Sequence, residues 1–362
     1  MSNRTFNFSA GPCTLPLPAL EKAQAEFVDY QGAGMSLIEM SHRGEHYDKV
    51  HYEAIGGIRE VLAVPGSHEI LFVQGGATLQ FAMVPLNLLT DGKTAEFLNT
   101  GTWVKKAIAD AEKLGPIHIM WTGEADNFTR MPANDEYQVG DDAAYVHICG
   151  NETIGGIEYH EYPDTGAVPL VSDMSSHIMS RPIDWGKLDL AFAGAQKNLG
   201  PAGMALVIIH KTLLEKCRDG LPAYLSYKIH AGKDSLYNTP PVFAIYMMKL
   251  TVDWVKEQGG LAEMEKRALA RSGALYDTID RSDGWYRCPV DAASRSRMNV
   301  CFRLPTEELE AKFIAEALEA NFSGLKGHRS VGGCRASMYN AMPVEGAERL
   351  AEFMLKFKQN NA

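Results

Sequence analysis

Short apolar runs alternate with amphipathic segments along most of the chain. Glu69–Val73, Ala144–Ile148, Val168–Val171, Leu188–Ala193 and Ala205–Ile209 are nearly unbroken hydrophobic stretches bounded by turn-forming residues. That pattern predicts buried strands. Val50–Val64 and Val104–Leu114 instead repeat their apolar residues at helical spacing. Strands alternating with helices predict an α/β domain with a mostly parallel sheet over residues 16–260. The two runs around position 197 are joined too tightly for a helical crossover, which predicts an antiparallel pair there. Beyond them a helical pattern runs from Val242 to Gln258 and stops at Gly259-Gly260. Leu261–Ile279, a strand-like Ser296–Arg303, and the amphipathic segments Thr306–Asn321 and Val344–Lys358 follow. They predict a smaller α/β domain over 261–362, with residues 1–15 packed beside it. No repeats or low-complexity tracts interrupt this order.

A chain of 362 residues exceeds one simple core, in keeping with two domains. Its net charge of −10 argues against nucleic acid as a partner. Met1–Phe8 is polar and mixed, and no stretch approaches the roughly 20 apolar residues of a membrane span. The 6 cysteines are scattered without a Cys-x-x-Cys pair, which speaks against a zinc site or a disulfide framework. A cytoplasmic protein away from membranes and without a metal is expected.

Two ionisable residues interrupt the buried pattern. Lys197 stands where the run from Asp189 ends, ahead of an Asn-Leu-Gly-Pro turn, and Asp173 closes the run that begins at Ala167. A lysine in a partly dry pocket loses its proton near neutral pH and condenses with an aldehyde. An aspartate at a neighbouring strand end suits a protonated ring nitrogen, and the two together are what pyridoxal phosphate requires. The same residues also describe an ordinary strand end and a solvated charge in a turn.

Other motifs sort the alternatives. Gly92-Lys93-Thr94 resembles the tail of a P-loop, but Asn87 stands where its first glycine is needed. Neither Gly-x-Gly-x-x-Gly nor Gly-x-Ser-x-Gly occurs, and His68-Glu69 and His160-Glu161 lack the second histidine of a zinc-protease helix. Gln74-Gly75-Gly76-Ala77-Thr78 reads as strand, tight turn and helix start, either a phosphate cradle or a plain connection. Trp103 follows a glycine turn and serves as core filler or as cover for a flat ring. Thr153 follows a strand at the end where open α/β sheets bind ligands. Leu325–Arg335 crowds Lys326, His328, Arg329 and Arg335 into a glycine-rich loop, and His42-Arg43 repeats the pairing near the N-terminus. These are either solvated charges or forks for carboxylate and phosphate.

The blocks Asn7–Pro12, Met40–Arg43, Gln74–Gly76, Asn151–Thr153, Ala193–Asn198, Tyr237–Pro241 and Lys326–Gly333 span nearly the whole chain. In that order they resemble the phosphoserine aminotransferase family, within the class-V pyridoxal-phosphate enzymes. The resemblance implies a fold-type I homodimer, with active sites at the subunit interface. It implies that Lys197 binds the cofactor aldehyde, Asp173 pairs with the ring nitrogen and Trp103 stacks on the ring. Ala77, Thr78, Thr153 and Gln196 would complete the cofactor site, and Asn238 and Thr239 would reach the phosphate held by the other subunit. Arg335 would hold the substrate carboxylate. His42, Arg43, His328 and Arg329 would hold the phosphate of the substrate or the side-chain carboxylate of glutamate. Ala77-Thr78 stands where some members carry Gly-Arg, a change that keeps the backbone donors. The implied reaction moves the amino group of L-glutamate to 3-phosphohydroxypyruvate in L-serine biosynthesis, with the related step of pyridoxine biosynthesis as a companion activity. Another enzyme of the same fold, such as an alanine–glyoxylate transaminase or a desulfurase, and a non-catalytic scaffold are the rival readings.

Overall fold

Seven strands form the central sheet of the computed structural model, which describes residues 4–362. They are β1 (His68–Gln74), β2 (Thr94–Asn99), β3 (Ile117–Thr122), β4 (Ala143–Cys149), β5 (Leu170–Asp173), β6 (Leu190–Gly194) and β7 (Met204–His210). Their spatial order is β1-β7-β6-β5-β4-β2-β3. Six strands run in one direction, and β7 lies antiparallel to both of its neighbours, β1 and β6. The expected antiparallel pair around Lys197 is therefore present, with Ala205 opposite Gly194.

Side chains alternate between the two faces of the sheet with the period of a strand. Ile70, Phe72, Val146, Ile148, Leu206 and Ile208 pack on one face with Tyr47, Val50, Ile58 and Met248, from the Glu45–Val61 and Val242–Glu257 helices. Leu71, Val73, Phe97, Tyr145, Phe192 and Val207 pack on the other, with Phe81 and Val84 of the Gly76–Leu88 helix and Val104 and Ile108 of the Thr102–Ala111 helix. Helices on both faces explain why the central strands carry no polar alternation. β3 is one of the two outer strands, and unlike β1 it leaves His118 and Ile119 exposed, so a polar residue interrupts its apolar run. β5 begins two residues later than the apolar run, since Pro169 has no N–H for a ladder.

The C-terminal part has its own cluster of Phe8, Leu275, Tyr286, Phe302, Phe313, Met354 and Phe357. It is built from the Gly260–Asp280, Glu307–Glu319 and Val344–Asn361 helices around an antiparallel pair, β8 (Asn299–Phe302) and β9 (Cys334–Ser337). Phe6-Asn7 pairs in parallel with Phe322-Ser323, so the start of the chain joins this part. Met1 to Asn3 of the 1–15 segment lie outside the described residues.

Phe313 makes edge contacts with Phe302, Phe353 and Phe357 and is wholly buried. Phe313→Ala is expected to lower stability by about 3–5 kcal/mol, read from the urea midpoint. A loss below 1 kcal/mol would show that the cluster collapses around the gap.

Candidate active site

Five of the six co-directional strands deliver a candidate residue to the same sheet edge. β1 leads to Ala77 and Thr78, β2 to Trp103, β4 to Thr153, β5 ends on Asp173, and β6 leads to Gln196 and Lys197. This is the edge at which open α/β sheets bind ligands.

Lys197 is 7% exposed. Its Nζ donates to Thr153 Oγ1 at 2.6 Å and lies 5.5 Å from the centre of the Trp103 ring. Burial lowers the amine's proton affinity below that of an ordinary lysine; Asp173 opposes this and Arg335 adds to it. Asp173 is equally enclosed. Its Oδ1 accepts from Ser175 N at 2.9 Å and from Ser175 Oγ at 2.6 Å, while Ser175 Oγ accepts from Gly194 N at 2.9 Å. Burial raises this carboxyl above the usual range, against the pull of Ser175 and Lys197.

The glycine turn after β1 is a strict requirement. At Gly75 φ is +91°, and a Cβ there would lie 2.8 Å from Leu79 Cβ. The Gly76–Leu88 helix it opens has no side-chain cap, so its first N–H groups, with Ala77 and Thr78 in the first turn, present an anion site. Thr239 O accepts from Gln74 Nε2 at 3.1 Å, which sets the Asn238-Thr239 turn beside these glycines within one chain. Gln196 folds back over Gly194, where a Cβ would meet its Oε1 at 2.7 Å.

The basic loop joins the same site. Arg335 Nη1, on β9, donates to Thr153 O at 3.2 Å. Gly327 N bonds Gly333 O at 2.8 Å and Gly332 N bonds His328 O at 2.8 Å, folding the loop into a narrow hairpin. A Cβ on Gly327 would collide with the Gly332 carbonyl. His328 is pulled toward its neutral form by burial first, then by Arg335, Arg329 and Lys106. Among the described residues no carboxylate pairs with His328, Arg329, Arg335 or Lys106; every ion pair engages other cations. His42 and Arg43 stand apart, in the turn ahead of the Glu45–Val61 helix. No hydrogen bond, ion pair or ring contact joins them to Lys197 or to the basic loop among the described residues.

Several neighbours were not singled out by residue type. A Cβ on Gly11 would sit 3.3 Å from Lys197 Cγ, and Cys13 Sγ donates to Lys197 O at 2.8 Å. Ser175 orients Asp173, and the Glu152 carboxylate takes N–H bonds from Trp103 and Val104. The Asn7–Pro12 block hinted at Gly11 and the Asn151–Thr153 block contained Glu152 without giving it a role.

A family model for the class-V aminotransferases matches residues 5–350, and the chain belongs to that family, whose cofactor is pyridoxal phosphate. Its relatives narrow the class. A phosphoserine aminotransferase of Geobacillus kaustophilus is 51% identical over 359 residues, spanning 99% of each chain. The solved phosphoserine aminotransferase of Bacillus circulans subsp. alkalophilus superposes with a TM-score of 0.98 at 48% identity over 100% of both chains. A structure of pyridoxal-phosphate-bound phosphoserine aminotransferase from Trichomonas vaginalis gives a TM-score of 0.93 at 40% identity, over 97% of this chain and 100% of that one. The chain groups with the phosphoserine aminotransferases of its class.

Because Asp173 holds the Lys197 proton more tightly, its removal lowers the lysine pKa further. In cofactor-free Asp173→Asn protein, amine labelling of Lys197 followed by mass spectrometry is expected to rise at lower pH than in the wild type. An unchanged or upward-shifted profile would count against this coupling.

Proposed function

We propose that this site transfers the amino group of L-glutamate to 3-phosphohydroxypyruvate, giving 2-oxoglutarate and O-phospho-L-serine. The observation that carries the substrate class is the unneutralised cation cluster of the 326–335 loop beside Lys197. Each substrate bears a carboxylate next to the reacting carbon and a second anion at its other end. Arg335 takes the first, and His328 and Arg329 take the second, phosphate or carboxylate, by forked hydrogen bonds.

The residues fit the cofactor part by part. The uncapped start of the Gly76–Leu88 helix, with Ala77 and Thr78, suits the phosphate. The Trp103 face suits the ring, the enclosed Asp173 the ring nitrogen, and the enclosed Lys197 amine the aldehyde. Pyridoxal phosphate, when bound, supplies an aldehyde that takes the amino group and a ring that accepts the electron pair left at the substrate Cα. Asp173 keeps a proton on the ring nitrogen. Lys197 Nζ, its proton affinity lowered by burial, accepts the Cα proton and later returns it. Thr153 Oγ1 orients that amine. Gln196 borders the hairpin that carries it.

The desulfurase reading needs a thiol free to swing onto substrate. Cys334 is 2% exposed within β9, and burial drives its proton affinity up. It packs.

A homodimer completes the reading: Asn238 and Thr239 of each copy reach the cofactor phosphate of the other, and His42 and Arg43 add to the anion site across the interface. Phe27, Val28, Met35 and Ile38, exposed shortly before His42, support a covered face there. The reading divides the chain into a large domain over 16–260 and a small one over 261–362 that includes residues 1–15. A cytoplasmic setting accords with six free thiols.

Titration of the yellow holoenzyme tests the assignment. L-phosphoserine and L-glutamate are expected to bleach the visible band where L-alanine and L-serine do not. Equal bleaching by alanine would remove the substrate assignment and leave the class standing. Arg329→Ala is expected to weaken O-phospho-L-serine binding by about 10- to 100-fold with little change in pyridoxal phosphate affinity; equal losses would point to general destabilisation.

A further inference from the structure

We propose that Glu152 is a positioning residue for the transamination: its carboxylate closes the first turn of the Thr102–Ala111 helix and so fixes the Trp103 indole against the Lys197 amine. The proposal rests on the reading that Trp103 borders the pyridoxal ring.

An N-terminal helix turn leaves backbone N–H groups in need of acceptors. Here the flanking residue is Gly101, which has no side chain to supply one. Glu152, far away in sequence, fills the role. Its Oε1 accepts from Trp103 N at 3.2 Å and from Val104 N at 3.3 Å, and its Oε2 accepts from Trp103 N at 3.3 Å. The fit depends on the missing Cβ, since one at Gly101 would lie 2.8 Å from Glu152 Cδ.

Glu152 is 1% exposed and forms no ion pair among the described residues. Burial pushes its carboxyl up to about 7, against the helix N–H groups and Lys197, which favour the charged form. Retaining a carboxylate there is costly unless its hydrogen bonds are needed.

The geometry shows what they secure. Glu152 and Thr153 occupy one tight turn, closed by the pairs Asn151–Glu158 and Glu152–Ile157 and by Gly156 N on Glu152 O at 2.8 Å. Asn151 Nδ2 locks its base to Ser176 Oγ at 2.7 Å and Asn299 Oδ1 at 2.8 Å. One turn therefore holds the lysine amine through Thr153 and the backbone that carries the indole through Glu152. On the ring itself, Lys106 Nζ stands 4.4 Å from the Trp103 centre. The indole is thus fixed at its backbone by Glu152 and flanked by two amines.

Three variants separate reach from charge. Glu152→Gln keeps an oxygen at full length, Glu152→Asp keeps the charge but falls short of the helix, and Glu152→Ala removes both. Each is loaded with pyridoxal phosphate to equal stoichiometry and compared by circular dichroism in the cofactor's visible band, with kcat and KM measured alongside. Glu152→Gln is expected to keep most of the visible signal and of kcat. Glu152→Asp and Glu152→Ala are expected to lose most of the signal and about 10- to 100-fold in kcat, with KM little changed and the far-ultraviolet spectrum intact. Full signal in Glu152→Ala would overturn the proposal. So would a normal Glu152→Asp beside a failing Glu152→Gln, because charge and not reach would then decide. Should Glu152→Ala fail to fold, the contrast between Gln and Asp decides alone. A wild-type protein with no visible band would overturn this proposal and the proposed function together, whereas a normal wild type with unaffected variants overturns this proposal alone.

Discussion

The hydrogen bond from Lys197 Nζ to Thr153 Oγ1 is the constraint on which the site depends. It joins the hairpin after β6 to the turn after β4, two strand ends separated by β5 and its terminal Asp173. A lysine amine has three rotatable donors and a long stem, so a buried one needs a fixed acceptor to point anywhere in particular. Thr153 provides it, and the segment around Gly11 and Cys13 closes over the stem. Opposite charges at Lys197 and Asp173 are each pushed toward neutrality by burial, so neither is strongly solvated and both await a partner.

The architecture explains why that arrangement is affordable. Parallel strands end together, and their connections leave the same sheet edge, so side chains from distant segments converge without any long loop. The single reversed strand, β7, follows directly from the Lys197 hairpin and runs back into the core between β1 and β6. The hairpin is therefore anchored by two wholly buried strands. The C-terminal part enters through β9, where Arg335 reaches across to Thr153 O. Arg335 and Lys197 thereby share Thr153 as one anchor.

Much of this was legible in the sequence, for a physical reason. Strands β4 to β7 are covered on both faces, so their apolar runs are unbroken and a Lys or Asp at their ends stands out. β3 is an outer strand, half in water, and carried no such signal. Lys197 and Asp173 were readable by the same contrast, while Trp103 stood out after its glycine turn, Thr153 at its strand end and Arg335 in the basic loop, and the fold brings them to one edge. Ser175, Gly11 and Glu152 were not readable by type. Their roles come from contacts between segments as far apart as Trp103 and Glu152, and nothing local records such a pairing. His42 and Arg43 show the converse: a conspicuous pair that no hydrogen bond, ion pair or ring contact joins to Lys197 among the described residues.

The hairpin of the 326–335 loop carries a further consequence. Arg329 and Arg335 both weigh against a charge on His328, and among the described residues no ion pair engages any of the three. Such a cluster behaves as a small ion exchanger. On the proposed reading of the loop, a doubly charged anion in solution would occupy it before substrate does and would stabilise the folded chain by mass action. On the same reading, inorganic phosphate and sulfate would compete with the substrate's second anion. Protein kept in phosphate and protein kept in chloride would then start from different resting states, their apparent affinities separated by the work of emptying that loop.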